Sequence, residues 1–105
     1  MTSVQDRLPI DLPMDEIVSF CQRWNITKLA LFGSVLRDDF GPESDVDVLV
    51  TFAPDTVVGL DFIVMQRELS DILGRPVDLN TYGFLSRHFR DRVRAAAEAI
   101  YERVG

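Results

Sequence analysis

The stretch LFGSVLRDDFGPESDVDVLV, residues 31–50, decides how this chain is read. It runs into DVDVLVTFA (45–53), the clearest strand pattern in the sequence. Side chains at i and i+2 of a strand share a face. Asp45 and Asp47 therefore sit side by side, with Cα atoms about 6–7 Å apart. Val46, Val48, Val50 and Phe52 line the other face, which is core. Two carboxylates about 5 Å apart repel by roughly 3 kcal/mol at an effective dielectric of 20. A divalent cation between them turns that repulsion into attraction. Mg²⁺ suits such a pair, because it takes oxygen ligands and keeps positions for substrate phosphates.

Two further features bear on this pair. Gly33-Ser34 follows the short buried strand TKLALF (27–32). A glycine there permits a tight turn and close approach of a ligand. A serine opening a helical turn offers backbone N–H groups and a hydroxyl, which suit a phosphate. Asp78 lies in PVDLNT (76–81), a third strand, where aspartate is disfavoured. Each feature alone also has a plain explanation: an acidic strand start in solvent, an ordinary helix cap, an edge charge that discourages aggregation. Their combination is more specific. If the three strands are neighbours, the three acids converge beside a phosphate-binding turn. That is the layout of metal-assisted phosphoryl or nucleotidyl transfer, in which two acids hold the metal. The third shares a metal or accepts the proton of the attacking hydroxyl.

Working outward, MDEIVSFCQRWN (14–25) predicts a helix with Met14, Ile17, Cys21 and Trp24 on one face. LDFIVMQRELSDILG (60–74) predicts a second, with Phe62, Met65, Leu69 and Ile72 in line and Gly74 as its stop. Ile63 and Val64 widen its apolar surface, as deeper core or as a partner surface. VLRDDF reads as a helical turn or two, GPES as a turn and APDTVVG as a loop. From Leu85, the residues Phe89, Val93, Ala96, Ala97 and Ile100 recur at helical spacing. That periodicity supports a helix through Glu102, although EAIYERV also allows an extended finish. The resulting α-β-α-β-α-β-α order predicts an α+β domain with a small sheet backed by helices on one side. RHFRDRVR (87–94) carries four arginines. It reads as a solvated helix face, with contact to ATP or to an acidic partner as the alternative. His88 reads as a surface residue, and Cys21 and Trp24 as core.

Composition bounds the rest. The 105 residues suit one small domain, read as 1–105 with a lead-in segment at 1–12 and a catalytic core at about 26–102. A net charge of −6 argues against a polynucleotide gripped through its phosphates. No apolar run approaches the roughly 20 residues of a membrane span. The lone cysteine, Cys21, and a start without a secretory pattern place the expected home in the reducing cytoplasm.

Gly33-Ser34, ten residues, then Asp45-Val46-Asp47 matches the G-S-x10-D-x-D signature of the polymerase-β-like nucleotidyltransferase superfamily. LFGSVLR, SDVDVLVTF, GLDFIVMQRELSDILGRPVDLNT and AIYE resemble the minimal nucleotidyltransferase (MNT) proteins, from about Ile26 to Glu102. The resemblance implies a mixed sheet of three or four strands flanked by helices, ATP as substrate with Mg²⁺, and transfer of AMP. Family members pair as antitoxins with HEPN-domain RNase toxins and adenylylate a tyrosine hydroxyl of the toxin. By position, the resemblance makes Asp45 and Asp47 metal ligands, Asp78 the third catalytic acid, Gly33 and Ser34 the triphosphate turn, and Arg37 a support for phosphates. The chain departs from the pattern at Asp38 and Asp39, where the family often has glycine or a basic residue. Larger relatives carry a second domain for the acceptor. The short chain leaves no room for one, so the acceptor is expected on another protein and not on a small molecule. The alternative within the resemblance is an antitoxin that acts by occlusion, with a vestigial nucleotide site.

Overall fold

A computed structural model describes residues 9–37, 40–41 and 43–103. Asp38 and Asp39, the departure from the family pattern, lie outside the described residues, as does most of the lead-in segment. The elements are α1 (Met14–Arg23), β1 (Ile26–Phe32), a 3-10 turn (Gly33–Leu36), β2 (Val46–Phe52), α2 (Asp61–Leu73), β3 (Val77–Asn80), a second 3-10 turn (Tyr82–Phe84), α3 (Arg90–Ala96) and β4 (Glu98–Glu102). The four strands form one mixed sheet in the order β3-β2-β1-β4. β1 is antiparallel to both β2 and β4, and β2 is parallel to β3.

Alternation along β2 divides the molecule. Val46, Val48 and Val50 are buried with Leu29 and Leu31 of β1 and Val77 and Leu79 of β3. Against this face pack Ile17, Phe20 and Cys21 of α1 and Met65 and Leu69 of α2. Phe20 joins the predicted stripe of α1, while Met14 and Trp24 are only half-buried. On α2, Ile63 and Val64 are exposed, so they are surface and not deeper core. Burial pushes the Cys21 thiol up to about 12, as befits an inert core residue. Gly74 ends α2 in the left-handed conformation, φ 68°.

The expectation of helices on one side only needs correction. Ala30, Leu49 and Leu85 form a second, smaller core on the opposite face, with Phe32, Val93 and Ala97 packed against it. The helix expected through Glu102 also stops early. α3 ends at Ala96, Ala97 is extended (ψ 142°), and EAIYE becomes β4. The open edge of β1 explains this: pairing there satisfies backbone groups that a helix would leave exposed on the strand. The pairing skips Ile100 between Ala99 and Tyr101, a bulge that lets both Ile100 and Tyr101 reach the main core. No helix among the described residues is long and apolar enough to cross a membrane.

Candidate active site

The parallel register of β2 and β3 sets Asp47 directly beside Asp78. Val46/Val77 and Val48/Leu79 on either side are buried in the main core, so both aspartates point to the other face. Asp45 precedes β2 on that same face. Asp45 and Asp78 are exposed and Asp47 is half-buried. On the other flank of Asp47, Phe32 is its partner on β1. The sheet thus carries a row Asp78–Asp47–Phe32, with Gly33 one step beyond.

The charge of Asp47 is coupled to that of both other acids. The Asp47 carboxyl is raised above the ordinary aspartate range, first by burial, then by the charges of Asp78 and Asp45. Arg37 acts in the opposite sense and favours the carboxylate. The three acids stand as an open row: among the described residues no three His, Cys, Asp or Glu side chains close into a ready-made metal cage. Carboxylate oxygens are the donors a hard divalent cation such as Mg²⁺ takes, alongside water and substrate oxygens.

Gly33 is tied to Asp47 by shape. Its φ is 78°, and a Cβ placed there would run into Oδ2 of Asp47. Only glycine leaves this gap between the turn and the carboxylate. Gly33 itself opens the four-residue 3-10 turn Gly33–Leu36, at whose end Arg37 N–H donates to the Ser34 carbonyl at 2.9 Å.

Neighbouring elements hold the acids in place. Ser44 and Gly41 clasp each other, Gly41 N–H donating to Ser44 Oγ (3.0 Å) and Ser44 N–H to the Gly41 carbonyl (3.1 Å). Arg75, just before β3, donates to the same Gly41 carbonyl at 3.2 Å and stacks on the Phe40 ring at 4.6 Å. This ties the loop that delivers Asp45 to the strand that carries Asp78. β3 is an edge strand, and α2 covers its outer N–H groups: Val77 N–H donates to Ser70 Oγ (3.1 Å) and Leu79 N–H to Gln66 Oε1 (2.9 Å).

A cavity of about 310 Å³ opens beside Gly33, bounded by Phe32, Arg37, Phe89, Arg92 and Val93. A larger hollow of about 460 Å³, lined by Asp15, Ser19, Arg23 and Glu68 among others, lies between α1 and α2 on the other side of the sheet, away from the acids. The sequence reading brought Asp45, Asp47, Asp78, Gly33, Ser34 and Arg37 together, and the structure places all six around one end of β1, β2 and β3. It missed Phe32, the direct neighbour of Asp47, and left Arg92 in an undivided arginine run. The recurrence of Phe89, Arg92, Val93 and Ala96 at helical spacing is the signal that separates Arg92 from that run.

The nucleotidyltransferase domain model matches residues 15–101. The chain belongs to the nucleotidyltransferase domain family. A Methanocaldococcus jannaschii relative, assigned by name to the protein adenylyltransferases, is 30% identical over 78 residues, 74% of this chain and 83% of that one. The protein adenylyltransferase MntA of Thermococcus cleftensis is 36% identical over 58 residues, 55% of this chain and 58% of its own length. Among solved structures, one described as a minimal nucleotidyltransferase superposes with a TM-score of 0.65 at 30% identity, covering 79% of this chain and 84% of that one. The MNT antitoxin in complex with the tri-AMPylated Shewanella oneidensis HEPN toxin shares the fold (TM-score 0.60, 21% identity, 85% of this chain and 69% of that one). The nucleotidyltransferase fold of the family is therefore the fold of this domain, and its relatives are protein adenylyltransferases by name.

Proposed function

We propose that this chain transfers AMP from ATP to a hydroxyl of a partner protein, a tyrosine of a HEPN-type RNase toxin, and so acts as its antitoxin in the cytoplasm. The observation that carries the reading is the register of Asp47 against Asp78, beside a turn that only glycine can make. Relatives named as protein adenylyltransferases, and a fold shared with an MNT antitoxin bound to an AMPylated toxin, support it.

In this reading Asp45, Asp47 and Asp78 hold Mg²⁺, which supplies positive charge opposite the phosphates. Gly33, Ser34 and Arg37 bind the triphosphate. The acceptor oxygen attacks the α-phosphorus, and the bond from that phosphorus to the bridging oxygen breaks. Asp78, the outermost acid, takes the hydroxyl proton, and pyrophosphate leaves with the bond's electron pair.

A second reading, neutralisation by occlusion, draws on exposed apolar residues at the start of α2 and in the turn after β3. Leu60, Ile63, Val64 and Phe84 are exposed, and Phe84 stands edge-on to Phe62 with ring centroids 5.8 Å apart. Co-expression of the toxin with the wild type or with Asp45→Asn/Asp47→Asn separates the two. Transfer predicts that the double variant still binds the toxin and no longer rescues growth. Full rescue by the double variant assigns the effect to occlusion.

A further inference from the structure

The short helix α3 divides its arginines between two tasks. Arg90 and Arg94, one turn apart, both stack on the Tyr82 ring, at 4.9 and 4.4 Å. Arg94 also lies 4.0 Å from Asp91, whose carboxylate accepts the Tyr82 hydroxyl. These two cations are engaged in holding α3 to the turn after β3. Arg92 projects from another side of the helix, into the cavity beside Gly33, together with Arg37 and the exposed Phe89 ring. No hydrogen bond, ion pair or ring contact engages Arg92 among the described residues. Two guanidinium groups therefore face one cavity of about 310 Å³ in a protein of net charge −6.

Position gives that pair of cations a purpose. Phe32, in the cavity wall, is the β1 partner of Asp47, so the cavity adjoins the acid row on the side away from Asp78. A nucleotide whose α-phosphorus lies at the acids must direct its remaining phosphates somewhere. Towards Gly33 they meet a turn without a Cβ, Arg37 and Arg92. Arginine is the side chain suited to phosphate, through two parallel N–H donors.

We infer that Arg92 of α3 is a further phosphate-binding residue, reaching the β- and γ-phosphates through the cavity it lines with Gly33 and Arg37. The inference rests on the nucleotidyl-transfer reading and adds to it a phosphate-binding side chain from α3. Negative charge grows on the departing pyrophosphate, so a cation fixed there aids the reaction as well as binding.

Calorimetric titration of the full chain with ATP and with AMP, in Mg²⁺, tests it on wild type, Arg92→Ala and Arg94→Ala. Arg92 is exposed, so its removal leaves the fold intact, which an unchanged Tm verifies. The expected result is that Arg92→Ala weakens ATP by about tenfold and AMP by less than twofold, while Arg94→Ala leaves ATP affinity within twofold. An unchanged ATP affinity in Arg92→Ala overturns the assignment. Equal losses for ATP and AMP overturn it too, since they place Arg92 at the nucleoside or the α-phosphate. If wild type binds ATP and moves AMP while Arg92→Ala behaves like it, only this inference fails. If wild type binds no nucleotide, the transfer reading falls and this inference falls with it.

Discussion

Asp47 is the residue on which stability and function pull apart. It is half-buried and faces two other carboxylates, which raises its pKa. A carboxyl with a folded pKa above its unfolded value binds more protons folded than unfolded between those two values. Stability therefore falls as pH rises through that window. Asp47→Asn is expected to melt at a Tm higher by about 2 °C at neutral pH, a small effect because solvent screens the site. The same variant should lose AMP transfer by at least about 100-fold. Calorimetry and a transfer assay on one preparation check both. For wild type, the acid limb of the rate profile should lie above the ordinary aspartate range and move down as Mg²⁺ is raised. Gly33 makes the complementary case, through shape. Gly33→Ala must hold alanine at φ 78° and push Oδ2 of Asp47 aside. We expect a loss of about 1–2 kcal/mol in stability and at least a tenfold drop in transfer, read by urea melts and initial rates. At this scale the sequence was informative because i, i+2 spacing is fixed by strand geometry. Gly33 was legible as a turn. Its contact with Asp47 was not, because that depends on which strands pair.

Strand pairing belongs to the elements, and there α2 decides more than its core stripe suggests. Gln66 and Ser70 sit on its flank and take the outer N–H groups of β3, with Ser70 Oγ also donating to the Gln66 carbonyl at 2.8 Å. They hold the edge strand that bears Asp78. Gln66→Ala removes the acceptor of Leu79 N–H and should destabilise the protein by about 1 kcal/mol. Hydrogen exchange at the Leu79 amide should speed up, with Val48 on β2 little changed. Exchange unaltered at Leu79 would show that Gln66 does not hold the strand. Helix existence and the faces of α1 and α2 were legible because burial imposes a period of 3.6. β4 was not legible. Ala96, Ala97 and Ile100 continue a helical spacing, and only the vacant edge of β1, a long-range fact, turns EAIYE into a strand. The second core was hidden for a related reason: Ala30, Leu49 and Leu85 are covered only once Val93 of α3 and Ala97 after it fold onto that face.

Across the whole molecule, charge is unevenly spread. The chain carries 17 acidic and 11 basic residues, and four of its arginines fall within residues 87–94. Net charge alone argued against a polynucleotide, and it concealed this local concentration of cations next to the acid row. In the proposed reading a metal and a triphosphate act on an acceptor hydroxyl that arrives on another protein. On that reading, the exposed Leu60, Ile63, Val64 and Phe84 would give such a partner apolar surface, and the acids and Gly33 would act on its hydroxyl. The most direct test is the intact mass of a HEPN-type toxin after incubation with this protein, ATP and Mg²⁺, beside Asp45→Asn/Asp47→Asn. The account predicts a gain in steps of about 329 Da, one AMP by formula, with wild type and none with the double variant. A toxin of unchanged mass in a stable, neutralised complex with wild type would contradict it.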